Sequence, residues 1–186
     1  MSSTVKTEVI SWVKTILLAA VLAGAVNSFL IVNAEVPTGS MENTIMAGDR
    51  ILALRTSYWF DAPKEGDIAV FRYPDDPTGK TLYVKRIIGA EGDVVEVADG
   101  AVYVNGEMLT EDYIAETTVG DYGPYLVPED SYFMMGDNRN HSLDSRFWDN
   151  KFVHEDEILG KVVLRYYKGF KWISLGGIRN GIESKG

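Results

Sequence analysis

An uncharged apolar segment near the N-terminus constrains this chain more than any other feature of its sequence. Residues 15–32 read TILLAAVLAGAVNSFLIV and contain three polar side chains but no charged one. Because further apolar residues precede it, and Lys14 can extend its ammonium toward water, the segment reaches the roughly 20 residues that span a bilayer as a helix. We therefore predict a transmembrane helix over residues 9–33. A buried helix of a soluble domain is the alternative, and the length disfavours it.

The charges around this segment predict how the chain lies in a cell membrane. Lys6 and Lys14 stand before or at its start, whereas acidic residues follow it. By the positive-inside rule, residues 1–8 lie in the cytoplasm and the rest of the chain lies outside after a single pass. A cleavable signal peptide is a second interpretation, because Val32-Asn33-Ala34 has the small residues of a cleavage site. Both export the remaining residues, and the first predicts a lasting contact with the lipid bilayer.

Composition and charge exclude several classes of function. A chain of 186 residues with 46% hydrophobic and 24% charged residues is long and apolar enough for one folded domain. Its net charge of −9 argues against nucleic acid as a partner, because phosphate binding needs clustered lysine and arginine. There is no cysteine, and His141 and His154 are too few for a histidine-rich metal site. We therefore expect no metal and no cofactor, and we expect a monomer.

Short strands separated by turns follow the apolar segment. Seven runs are rich in Val, Ile, Phe or Tyr and are bounded by Gly, Pro, Asp or Asn, which is the pattern of β-strands. They cover residues 50–54, 67–73, 83–90, 93–97, 101–104, 132–135 and 158–167. Asp99-Gly100 and Asn105-Gly106 are tight-turn dipeptides, so residues 93–104 are predicted to form a hairpin. After residue 34 no run has the periodicity of a long amphipathic helix.

These strands predict a mainly β fold class. Short strands with tight turns are typical of an antiparallel, barrel-like β domain, which here follows one N-terminal transmembrane helix. We expect this domain over residues 34–175. Residues 105–130 are more polar and irregular, and are predicted to form a small insertion or flap. The last residues, 176–186, are predicted to be a frayed tail.

Three polar clusters stand out against this β pattern. Ser40 follows a glycine in the turn sequence PTGSM, where a serine usually serves only the turn. Lys85 lies in the strand sequence YVKRII, whose alternation puts either Lys85 or Arg86 on a face with aromatic and branched side chains. The third cluster is the dense polar loop GDNRNHSLDSR, residues 136–146. Each has an ordinary structural explanation when it is considered alone.

These clusters and a neighbouring strand form four segments: VPTGSMENTI, GDIAVFRYP, YVKRIIGAEGD and GDNRNHSLDSR. In order and spacing they resemble the conserved boxes of bacterial type I signal peptidases, serine peptidases of family S26 with a Ser-Lys dyad. The resemblance covers residues 36–148 and includes the apolar helix before them. It implies a membrane-bound serine endopeptidase that removes N-terminal signal peptides from exported preproteins after small residues, in an Ala-X-Ala pattern.

The resemblance implies a role for each matching residue of a catalytic centre. Ser40 would attack the scissile carbonyl, and Lys85 would be its general base. The hydroxyl of Thr38 and the backbone N–H of Ser40 would form the oxyanion hole. Ser142 would hydrogen-bond the Lys85 amine and orient it.

Further matching residues would support this centre or bind the substrate. Asp144 and Arg146 would form an ion pair, and the loop would be shaped by Gly136, Asp137 and Asn138. Ordinary core packing is an equally open role for the five residues at the pocket positions: Val36, Met41, Ile45, Tyr83 and Val84. Two departures from the family pattern affect loop details only: Asn43 replaces a common proline, and Asn140-His141 replaces an Asp-Asn pair.

A lysine can serve as general base only when its amine is uncharged. The unperturbed pKa of ~10.4 keeps it protonated at neutral pH, and burial lowers that pKa. Tyr83, Ile87 and the apolar strands around them could supply the burial. A nearby Asp144 would hold the proton on Lys85, so we expect Arg146 to neutralise that carboxylate.

Three other interpretations are open from the residues. His141 and Asp144 could form a catalytic triad with Ser40, which only geometry can decide. A self-cleaving repressor-type Ser-Lys protease has a related fold, but we would expect a DNA-binding helical domain in place of the apolar segment. A non-catalytic, membrane-tethered β module would not need Ser40, Lys85 and Ser142 together.

Overall fold

One long helix precedes a β domain in the computed structural model, which describes residues 3–166, 169 and 171–173. Helix α1 spans Ser3–Phe29 and confirms the helix predicted for the apolar segment. Within it, Glu8–Val26 has a mean hydropathy of 2.1, is long enough to cross a membrane and has no part buried inside the protein. A buried core helix of a soluble domain does not fit this exposure.

The helix ends earlier than the sequence predicts. It stops at Phe29 rather than at residue 33, and Ile31–Glu35 forms strand β1. β1 pairs along its whole length with β2, Arg50–Leu54, in antiparallel register. The apolar run hides this boundary because β1 continues it with further apolar side chains. The β domain therefore begins before residue 34, and the possible cleavage site Val32-Asn33-Ala34 lies within paired strand.

Two antiparallel sheets make up the β domain. After β1 and β2 the strands are β3 (Ile68–Arg72), β4 (Leu82–Gly89), β5 (Val94–Ala98), β6 (Ala101–Val104), β7 (Glu107–Met108), β8 (Tyr122–Leu126), β9 (Ser131–Met135), β10 (Val153–His154), β11 (Ile158–Tyr166) and β12 (Lys171–Trp172). The larger sheet has the order β1-β2-β11-β3-β4-β9-β10, with β12 paired to β11. The smaller sheet has the order β7-β6-β5-β8.

The mainly antiparallel β fold class is confirmed, and all seven predicted strands are present. The barrel-like arrangement is not, because both sheets are open in the described part of the chain. Residues 105–130 contain β7 and β8 of the smaller sheet, and the segment between these two strands is irregular. β8 contains Gly123-Pro124, which resembles a turn in sequence, but proline is tolerated here because β8 is an edge strand. The frayed tail predicted for 176–186 lies outside the described residues.

The central strands β3 and β4 are covered by apolar side chains on both faces. On one side Ile68 and Val70 of β3 pack in a cluster with Met41, and on the other Ala69 and Phe71 pack in a cluster with Trp148. A polar group in the middle of these strands is therefore withdrawn from water and needs a partner. Lys85 and Arg86 are adjacent on β4 and both need such a partner. They point to opposite faces of the sheet, because successive strand side chains alternate.

Candidate active site

The turn between β1 and β2 positions Ser40. Glu42 N donates to Gly39 O at 3.0 Å and Ile45 N donates to Met41 O at 2.8 Å, so the chain coils tightly around the serine. Asn138, from the polar loop 136–146, holds the turn from outside. Its backbone N–H donates to Ser40 O at 3.1 Å, and its Nδ2 donates to Gly39 O at 3.0 Å. Ser40 is thereby fixed in a site where it is 7% exposed.

Lys85 on β4 reaches the Ser40 hydroxyl. Its side chain is buried, with 4% of the residue exposed, and its Nζ lies 2.5 Å from Ser40 Oγ, a hydrogen-bonding distance. The same Nζ lies 5.4 Å from the centre of the Tyr83 ring, which forms part of the apolar surroundings of the amine. The structure therefore brings the two sequence-predicted dyad residues together across 45 positions of the chain.

The surroundings of Lys85 favour the uncharged amine. Burial lowers its pKa from 10.5 to about 8, because a charged ammonium loses its hydration there. The carboxylates of Asp144 and Asp137 act in the opposite direction, and the guanidinium of Arg146 helps to lower the pKa. A substantial fraction of Lys85 is then uncharged at slightly alkaline pH.

Asp144 and Arg146 form a buried bidentate ion pair. Arg146 Nε and Nη2 each donate to one oxygen of Asp144 at 2.8 Å, with side-chain exposures of 1% and 0%. Asp144 Oδ2 also accepts the backbone N–H of Gly136 at 3.0 Å. Arg146 offsets part of the attraction between the Asp144 carboxylate and the Lys85 ammonium, and burial outweighs the part that remains.

Thr38 and Ser142 flank the dyad differently from one another. Thr38 is exposed, and its Oγ1 lies 3.5 Å from Ser40 Oγ. Ser142 is buried, but its hydroxyl has no hydrogen-bond partner, so the predicted hydrogen bond to the Lys85 amine is not formed. The amine is directed at Ser40 instead.

Gly136 allows the polar loop to approach the dyad. A Cβ at this position would overlap both the Ser40 carbonyl oxygen and the Ser142 hydroxyl. The loop backbone can pass between these two groups only because residue 136 has no side chain.

The sequence did not predict the partner of Arg86, the second cation of β4. Arg86 Nε and Nη2 donate to the two oxygens of Asp137 at 2.8 and 2.7 Å, and Asp137 also accepts the Thr44 hydroxyl at 2.5 Å. Arg86 Nη1 donates to Gly66 O at 2.8 Å. Strand alternation indicated that Arg86 points away from Lys85, but not which carboxylate would meet it.

Three of the five predicted pocket residues are buried in the core, and the other two are partly exposed. Val36, Met41 and Ile45 belong to the apolar core, and Met41 and Ile45 have no exposed surface. Tyr83 and Val84 are partly exposed. Packing therefore accounts for the first three in this structure, and substrate contact by any of the five stays a prediction.

The alternative Ser-His-Asp triad is not assembled. His141 is exposed, and Asp144 is bound to Arg146 and Gly136. Among the described residues the His141 side chain has no hydrogen bond with Ser40 or Asp144. The same part of the chain contains no group of three or more His, Cys, Asp or Glu side chains that could hold a metal ion.

Comparisons with known proteins identify relatives of this chain. The profile of the family described as "Signal peptidase, peptidase S26" matches residues 9–167. A probable signal peptidase I-2 of Synechocystis sp. is 41% identical over 157 residues, which is 83% of this chain and 71% of that protein. A signal peptidase I of Leptolyngbya laminosa is 38% identical over 160 residues, with 83% and 78% covered. The crystal structure of a signal peptidase I from Enterococcus faecalis V583 is 33% identical with a TM-score of 0.48, covering 54% of this chain and 97% of that chain.

Replacing Lys85 with methionine should change stability in a pH-dependent way. The unfolded chain keeps the Lys85 proton up to a pKa of 10.5, whereas the folded protein releases it near pH 8. Below pH 8 the folded state contains a buried ammonium that lowers the free energy of unfolding by about 3 kcal/mol. Because Lys85→Met removes this cost, we expect the variant to be more stable at pH 7, with an advantage that shrinks between pH 8 and 10.5.

Urea unfolding of the full chain in detergent measures this difference in the free energy of unfolding. Lys64→Met is the matched control, because its side chain is 68% exposed and the substitution takes no charge out of the interior. A difference for Lys85→Met that stays the same from pH 7 to pH 10.5 would contradict the buried uncharged amine.

Proposed function

This chain belongs to the signal peptidase family, peptidase S26, and is a serine endopeptidase; we propose that it removes signal peptides from exported preproteins with Ser40 as nucleophile and Lys85 as general base. The observation that carries this proposal is the 2.5 Å separation between Lys85 Nζ and Ser40 Oγ in a buried site. A lysine with no role beyond surface charge normally keeps its ammonium in water, whereas the Lys85 amine is buried against a serine hydroxyl.

The first half of the reaction forms an acyl-enzyme. Uncharged Lys85 takes the Ser40 proton as Oγ attacks the scissile carbonyl, and negative charge develops on the carbonyl oxygen. The Ser40 backbone N–H and the Thr38 hydroxyl are the proposed donors to that oxygen. The Lys85 ammonium then gives its proton to the departing amine, so the mature protein leaves and the signal peptide remains as an ester on Ser40.

The second half releases the signal peptide. Lys85, uncharged again, takes a proton from a water molecule that attacks the ester carbonyl. Collapse of the second intermediate returns the proton from Lys85 to Ser40 Oγ. Both halves need the same amine to alternate between its two protonation states, and burial that lowers its pKa to about 8 supports this alternation near neutral pH.

The apolar helix supports a membrane-bound enzyme with substrates at the bilayer surface. Ser40 follows the helix end at Phe29 by 11 residues, which span at most about 40 Å when extended. In the proposed topology, residues 1–8 are cytoplasmic and the β domain is extracytoplasmic. The active site would then meet signal peptides that are themselves inserted in the bilayer.

The small-residue preference is proposed to arise beside Tyr83 and Val84. Val84 packs against the core cluster that contains Met41 and Ile45, and Tyr83 lies on the other face of the same strand, beside Lys85. A shallow apolar wall excludes large side chains by overpacking and accepts alanine. An extended substrate segment would pair with exposed backbone beside this wall.

Substitutions in the dyad should abolish preprotein cleavage, whereas a substitution of His141 should not. We expect Ser40→Ala to remove turnover and Lys85→Met to lower kcat by at least about 10²-fold, because each removes a group that the chemical step requires. His141→Ala should keep most of the wild-type rate. Appearance of the mature product from a preprotein with an Ala-X-Ala site, measured with the full chain in detergent, gives these rates.

Two results would contradict the proposed function. Loss of activity in His141→Ala with retention in Lys85→Met would favour a triad. Absence of cleavage by the wild-type chain would favour a non-catalytic module.

The rate should also follow the protonation of Lys85. Only the uncharged amine can accept the Ser40 proton, so kcat/KM should rise about tenfold per pH unit below pH 8 and level off above it. Initial rates at low substrate concentration across this range provide the profile. An acid limb centred near pH 10.5 would mean that burial does not tune the amine.

A further inference from the structure

Two side chains of the segment between β7 and β8 contact the polar loop 136–146. This loop is called the catalytic loop from here on, because Asn138 within it holds the turn of Ser40. The segment leaves the smaller sheet at Leu109, whose N–H donates to Val102 O at 2.9 Å, and it returns at Tyr122. Between these points, Glu111 and Tyr113 turn inward. Neither residue belongs to the three polar clusters that the sequence analysis identified as candidates for catalysis.

Glu111 forms a buried bidentate ion pair with Arg139 of the catalytic loop. Arg139 Nη1 and Nη2 donate to the two Glu111 oxygens at 2.7 and 2.5 Å. The side-chain exposures are 0% for Arg139 and 5% for Glu111. Removing one partner from such a pair leaves an uncompensated buried charge, which disturbs its surroundings strongly.

Arg139 connects this pair to the dyad through the loop backbone. Its Nε donates to Gly136 O at 3.0 Å, and its own carbonyl accepts Arg146 Nη2 at 2.6 Å. The preceding residue is Asn138, which holds the carbonyl of Ser40. Arg139 therefore lies at the junction of the residues that place Ser40 and those that neutralise Asp144.

Tyr113 adds a second contact from the same segment. Its hydroxyl donates to Glu111 Oε1 at 2.6 Å, and its ring lies 3.8 Å from Arg86 Cζ. Arg86 in turn is paired with Asp137. The segment between β7 and β8 thus contacts Arg86 and Arg139, two of the buried arginines in the described part of the chain.

We propose that Glu111 is a positioning residue for the Ser40–Lys85 centre, acting through Arg139 on the backbone of the catalytic loop. This proposal rests on the proposed peptidase function. Of the three carboxylates paired with buried arginines here, Asp137 and Asp144 lie in the loop itself, and Glu111 is supplied by the smaller sheet's connection. Asp137 also attracts Arg139, but it is already paired with Arg86, so loss of the Glu111 charge leaves the buried Arg139 cation poorly compensated.

Glu111→Gln tests the proposal, because it keeps the shape of the side chain but removes its charge. We expect kcat to fall about 10- to 100-fold, with KM changed little, since small displacements of reacting groups carry effects of that size. We also expect the acid limb of the kcat/KM profile to move to higher pH, because a loosened loop admits water to Lys85. Glu157→Gln is the matched control: it breaks the Arg72–Glu157 pair, whose side chains are 41% and 39% exposed, and should change neither quantity.

A double variant separates positioning from stability. Glu111→Leu with Arg139→Met replaces the ion pair with apolar groups, which should restore much of the thermal stability that the single change removes. It also removes the hydrogen bond from Arg139 Nε to Gly136, so kcat should stay low.

Two outcomes would overturn the proposal. One is a Glu111→Gln enzyme with wild-type kcat and an unmoved acid limb. The other is a double variant that regains the full rate together with its stability. A wild-type chain that cleaves no preprotein would instead reject the proposed function.

Discussion

In the proposed mechanism a lysine amine must be uncharged and yet lie beside a serine hydroxyl, and the rest of the structure depends on this constraint. Water would stabilise the ammonium and fix the proton, so the amine has to be buried. The central strands β3 and β4 provide that burial, because apolar clusters cover both of their faces. Lys85 is then 4% exposed, and its pKa is lowered to about 8. The fold thus gives this strand lysine the low pKa that the proposed role as general base requires.

Three arginine side chains are also buried near Lys85, and each of them is paired with a carboxylate. Arg146 is paired with Asp144, Arg86 with Asp137 and Arg139 with Glu111, all with side chains at most 10% exposed. The arginines compensate the charge of the carboxylates near Lys85, and the pairs attach the catalytic loop to β4 and to the connection of the smaller sheet. Gly136 lets the same loop reach the Ser40 carbonyl. Electrostatic neutrality and close approach are therefore achieved by the same few residues.

Features that depend on local pattern could be predicted from the sequence, and features that depend on distant contacts could not. Apolar length predicted α1, and alternation predicted the strands and the opposite directions of Lys85 and Arg86. The resemblance supplied the pairing of Ser40 with Lys85. It could not supply Glu111, which meets Arg139 across 28 positions with no local signal. Strand β1 was hidden by the apolar run before it, and the missing Ser142 hydrogen bond depends on side-chain orientation. Asn43 has a clear reason: its φ of 80° suits asparagine and is closed to the proline common in the family.

The central claim is that Lys85 is uncharged at a pH where free lysine is not. An NMR titration of the Lys85 side chain tests it most directly, using protein labelled with ¹³C-lysine and the Lys85→Met variant to assign its Cε signal. A midpoint at about pH 8 is the result that this account predicts. A midpoint near 10.5, the value of an unperturbed lysine, would contradict it.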